Sequence, residues 1–157
     1  PTLIQDGQNL RSRSSLAWAD TLAGLSICAA GTTLPHGIAM AIGGMYPGVA
    51  HGAALASIYR ACMKFSWQSA IPQFAKLGRI LDASLHQADD EMAAQSSIES
   101  FEKFLARIEL NYSLKKLGVS EEELSALAKQ SMVLPDYTRN PKIPTDTEML
   151  SIITQSF

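Results

Sequence analysis

Two of the three histidines in this chain, His36 and His51, lie in the segment 31–52, GTTLPHGIAMAIGGMYPGVAHG, which contains no Asp, Glu, Lys or Arg and holds six of the ten glycines. An imidazole among apolar residues is either a hydrogen-bonded core group or a nitrogen donor to a metal. The two rings stand fifteen positions apart, which on one unbroken helix would separate them by about 22 Å along the axis. They can share a ligand only if the chain turns between them. Gly43-Gly44-Met45-Tyr46-Pro47-Gly48 is suited to that turn, since glycine adopts positive φ without strain and Pro47 removes a backbone donor. A helix, a bend and a second helix would then bring the imidazoles together. Each histidine is followed by a glycine, Gly37 and Gly52, leaving room for a bulky group to approach the backbone.

The elements that must carry these rings are legible from spacing. His36 follows Pro35, which suits the first turn of a helix, and Ile38 and Ile42 mark a buried face. In the second helix His51, Ala54, Leu55, Ile58, Cys62 and Phe65 share one face, so His51 is expected to point inward.

LPHGIAMAIGGMYPGVAHGAALA resembles the metal-binding signature of the iron-containing (group III) alcohol dehydrogenases: a histidine, a Gly-rich bend, a His-Gly pair and an alanine-rich helix in this order. SLKKLGVSEEELSALAKQS, Asn140-Pro141 and TDTEMLSIITQSF are similar to that family's closing turn, short helix, Asn-Pro loop and last helix. The resemblance covers the chain from about Leu16 to Phe157. It implies the family's all-α C-terminal domain, with residues 1–157 as one helical domain. It also implies a nicotinamide-dependent enzyme that moves hydride between an alcohol and NAD or NADP. By the same resemblance His36 and His51 ligate a divalent metal, iron or zinc, and Met40, one turn after His36, lines the substrate pocket.

Two departures and two absences accompany the match. The gap between the histidines is one residue longer than usual, near Pro47 and Gly48, and Met40 stands where many members carry a further histidine. The family's remaining ligands come from an Asp-x-x-x-His helix, and nothing before His36 fits it, since Asp20 is followed four residues later by Gly24. The glycine-rich strand-to-helix turn of a nucleotide domain is also not found, so the sequence reads as the C-terminal part of a longer enzyme.

At 157 residues the chain can bury one ordinary core. A formal charge of −2 gives no clustered basic face for nucleic acid, Arg11 and Arg13 being the nearest approach. Cys28 and Cys62 sit in apolar helical patterns rather than a Cys-x-x-Cys pair, which reads as reduced core residues of a cytoplasmic protein. The apolar run 16–30 contains Asp20 and falls short of a bilayer's thickness, so no membrane partner is expected.

The remaining pattern is helical throughout. Trp18, Leu22, Leu25 and Ala29 form a stripe on a helix over 9–30, and 68–81 reads as a helix with Pro72 in its first turn. Ser96 with Glu99, Ser120 with Glu123 and Thr145 with Glu148 have the spacing of capping boxes. Asp89, Asp90 and Glu91 suit a charged helix start, and His86 a polar loop. Maleylacetate reductase or another superfamily member is the related enzyme reading, and a helical structural or interaction domain with core histidines is the reading from another class.

Two outcomes follow for the isolated 157-residue chain. Without a nucleotide-binding turn it should not reduce nicotinamide cofactors when offered primary alcohols, and measurable reduction would contradict this. With a mean hydropathy of +0.04 and only 18% charged residues it should self-associate, as a homo-oligomer or less specifically, whereas a strictly monomeric sedimentation profile would count against it.

Overall fold

In the computed structural model, which describes residues 2–157, Asn9 opens the first long helix by accepting the Ser12 amide at 3.0 Å on its side-chain oxygen. That helix, α2 (Leu10–Ala30), follows a four-residue turn of helix, α1 (Thr2–Gln5). Gly31 stops it with φ of 74°, a left-handed conformation that glycine adopts freely, and returns its amide to the Ile27 carbonyl. The chain groups into two units, Pro1–Thr32 and Thr33–Phe157. In the first, the stripe of Trp18, Leu22 and Leu25 exists but is exposed, and Cys28 is exposed as well, contrary to the core position expected for it. An apolar stripe records what a helix face is suited to pack against and does not by itself bury it.

The second unit holds α3 (Leu34–Met45), α4 (His51–Ser66), α5 (Ile71–Leu81), α6 (Asp90–Arg107), α7 (Leu124–Ser131) and α8 (Asp146–Gln155). Short 3-10 segments lie at Trp67–Ser69, Ala83–Gln87, Glu121–Glu123 and Pro135–Arg139. No strand occurs among the described residues, so the fold is all-α. Leu34, Ile38 and Ile42 of α3 are wholly buried with Ala54 and Ile58 of α4, Leu127 of α7, and Met149 and Ile153 of α8. Each of the Leu, Ile and Met side chains among these contributes about 1.5–3 kcal/mol of burial, and together they fix α3 at the centre. Cys62 is buried in the same core, which pushes its thiol up and leaves it inert.

Of the three proposed capping boxes only Thr145 with Glu148 forms, its two halves exchanging hydrogen bonds and Lys142 adding an ion pair at 2.8 Å. Ser96 lies inside α6, because Asp89 already caps that helix by accepting from the Met92 amide, with Asp90 and Glu91 in the first turn. Ser120 precedes the 3-10 turn without a side-chain cap, since the Glu123 carboxylate is engaged by the Tyr46 hydroxyl instead.

Ala75, Ala93 and Ala94 form a second, smaller cluster where α5 meets α6. Gly78 makes that approach possible: a Cβ there would stand 2.4 Å from the Ala93 carbonyl oxygen. Backbone cannot yield as a side chain can. Gly78→Ala should therefore destabilise the chain by about 1–3 kcal/mol in denaturant unfolding, as overpacking does. An unchanged midpoint would show that the two helices part without cost.

Candidate metal centre

His36 enters the structure on the first turn of α3, two residues after Leu34, with Pro35 in the tolerated first-turn position. His51 is the first residue of α4. The turn between them differs from the expected one. Gly43 and Gly44 lie within α3, which runs on to Met45, and the reversal is made by Tyr46 to Ala50, with the Val49 amide on the Tyr46 carbonyl at 2.9 Å. Among the described glycines only Gly31 and Gly118 have positive φ, so the reversal uses ordinary backbone together with Pro47. Glycine in α3 costs helix propensity, which the burial of Ile38 and Ile42 offsets.

The bend brings the two imidazoles together. Their ring centroids are 5.3 Å apart and the planes meet at 74°, edge towards face. His51 does not point inward as its register suggested. It is exposed, while Ala54 and Ile58, one and two turns on, are fully buried, because the first turn of α4 projects beyond the core that the rest of the helix covers. His36 is half-buried, its side chain 35% exposed. The pair therefore sits at the rim of the core with a side open to a ligand, and the core-histidine reading does not describe His51. Met40, one turn after His36, is exposed on the same helix. His86 lies elsewhere, exposed, with its Nε2 3.1 Å from the Arg79 carbonyl oxygen.

One site residue was not expected from the sequence. Asp136, in the 3-10 segment Pro135–Arg139, places its Oδ1 3.0 Å from Nδ1 of His36, with only 15% of its side chain exposed. An ionised carboxylate can only accept, so Nδ1 carries the hydrogen and Nε2 is the nitrogen left to donate a lone pair. Gly37 serves this contact rather than a ligand: a Cβ there would lie 3.3 Å from the Cβ of Asp136. Gly52 has nothing within 4 Å of such an atom, so the open space expected after a histidine is found only there.

Two imidazoles offer two nitrogen donors where a four-coordinate site needs four ligands, and no group of three or more His, Cys, Asp or Glu side chains able to hold a metal occurs among the described residues. A cleft of about 490 Å³ lined by Thr33, Pro35, Tyr59, Cys62, Ser66 and Asn140 adjoins the start of α3, but neither histidine lines it.

The whole chain, residues 1–157, matches the Fe-containing alcohol dehydrogenase family, C-terminal. This chain belongs to that family. It is 28% identical over 137 residues to a choline dehydrogenase of Bacillus subtilis (strain 168), covering 87% of this chain and 34% of that protein. With an NAD-dependent methanol dehydrogenase of Bacillus methanolicus it shares 24% over 153 residues, covering 98% of this chain and 40% of the relative. The fold is that of a 1,3-propanediol oxidoreductase crystal structure, with a TM-score of 0.93 at 24% identity over 99% of this chain and 41% of that one. The chain thus spans well under half the length of the relatives it matches.

The two glycines give a paired test. Gly52→Ala, in open space, should raise stability by up to about 1 kcal/mol through helix propensity. Gly37→Ala should fail to do so, because Asp136 must move aside. Equal stabilisation in denaturant unfolding would show that the approach of Asp136 to α3 is not tight.

Proposed function

We propose that this chain is the metal-binding C-terminal part of a nicotinamide-dependent alcohol dehydrogenase, acting on an alcohol or aldehyde in the cytoplasm. The observation that carries the reading is the pairing of His36 and His51 across the bend, ring centroids 5.3 Å apart, in a member of the Fe-containing alcohol dehydrogenase family. The donor set fits a divalent ion as far as it goes. His36, through Nε2, and His51 would hold it with nitrogen ligands suited to iron or zinc. When bound, such a metal supplies Lewis acidity towards an alcohol oxygen, favouring loss of its proton while hydride passes to NAD or NADP.

The chain's own residues would act by position. The buried face of α3 holds His36 at the rim of the core, and α4 presents His51 from its first turn, which sets the two rings side by side. Met40, one turn from His36, would shape the pocket for the carbon chain of the substrate without coordinating. The nucleotide and the two further ligands would come from the longer protein of which the relatives' lengths are the precedent.

In the full-length protein His36→Ala and His51→Ala should each remove most bound metal and most activity while leaving the helical fold intact. Met40→Ala should keep the metal and change the preference among alcohols, and His86→Ala should change neither. Metal content by elemental analysis, beside turnover, checks all four. Stoichiometric metal with normal turnover in both histidine variants would overturn the assignment.

A further inference from the structure

Asp136 lies one hundred residues from His36 in the chain, yet the structure fixes it against that ring from several directions. Tyr137 packs on the main core, and Thr138 turns its hydroxyl back to the Pro135 carbonyl at 2.6 Å. Asn140, 8% exposed, donates from Nδ2 to the Ser66 hydroxyl at 2.8 Å and to the Lys142 carbonyl at 2.7 Å. Ser66 ends α4, the helix that His51 begins. The segment carrying Asp136 is therefore anchored to the same helix that carries the second imidazole, and on its other side Gly37 admits it to within contact of α3.

We propose that Asp136 is the positioning residue of the centre: its carboxylate holds His36 in the Nδ1–H tautomer and fixes the ring plane, so that Nε2 is the coordinating nitrogen. This rests on the metal reading for its purpose but not for its geometry. A free histidine side chain in water favours the Nε2–H tautomer, which here would set the Nδ1 lone pair against the Asp136 carboxylate oxygen. The 3.0 Å contact reverses that preference. A carboxylate behind a ligating imidazole also limits its rotation, and removing such a partner typically costs about 10–100-fold in metal affinity.

The test has two arms. In the first, side-chain nitrogen NMR of the chain at alkaline pH, where imidazoles are neutral, should show His36 as the Nδ1–H tautomer. Asp136→Ala should return it to mainly Nε2–H, and Asp136→Asn, whose amide NH2 can donate to Nδ1, should lose the wild-type tautomer as well. His86, whose Nε2 faces the Arg79 carbonyl, serves as an internal reference of the opposite tautomer in every sample. In the second arm, zinc titration of the full-length protein should show about a 10–100-fold weaker Kd for Asp136→Ala and for Asp136→Asn alike. A His36 tautomer indifferent to Asp136→Ala, or one that switches with no change in zinc affinity, would overturn the proposal while leaving the two-histidine site standing. Failure of the wild-type protein to bind zinc would instead overturn the metal reading, and the proposed purpose of Asp136 with it.

Discussion

A histidine presented from a helix that is otherwise almost wholly apolar can keep a free nitrogen only if it stands at the border of the core, and that constraint organises the second unit of this chain. Leu34, Ile38 and Ile42 take the inner face of α3 to full burial, which holds the helix in place. His36 is offset from that inner line and remains 35% exposed at the side chain. Were the apolar face wider, the ring would be buried and would need a core partner. Were it narrower, the helix would lose the packing that fixes the ring.

The second imidazole arrives by the same economy of burial. Helix α4 sinks Ala54, Ile58 and Cys62 into the core that α3 lines, and only its first turn stands clear, carrying His51. The reversal from Tyr46 to Ala50 is short enough to return the chain within 5.3 Å, ring to ring. Tyr46 itself is tied to the segment before α7, its hydroxyl donating to the Glu123 carboxylate and accepting from the Ser120 amide at 3.3 Å. Partial burial, and after it the Glu123 carboxylate, push the phenol's pKa up, so the hydroxyl stays a donor at physiological pH. The bend that pairs the histidines is thus held from outside the two helices as well as by them.

Local signals carried much of this. Period-3.6 patterns placed the helices, Pro35 and Pro72 marked first turns, and the His-Gly repeats across a Gly-Pro bend carried the family resemblance in the sequence itself. What local pattern could not weigh was competition. Ser96 and Ser120 have the spacing of caps, but Asp89 caps α6 earlier and Tyr46 claims Glu123, and neither rival is visible in a four-residue window. The inward register assigned to His51 failed because periodicity says which residues share a face and not where along the helix the core ends. Asp136 was out of reach for the same reason: its partner is one hundred residues away, and the available hint was a glycine, Gly37, whose need for space was attributed to a ligand rather than to a neighbouring loop.

The central claim is that His36 and His51 together form this chain's half of a divalent metal site. Anomalous diffraction from crystals of the full-length protein grown with zinc tests it most directly. The account predicts one strong anomalous peak at about 2.0–2.1 Å from a ring nitrogen of each histidine, with Nε2 the donor on His36. A peak bound to one of the two rings alone, or located away from both, would contradict it.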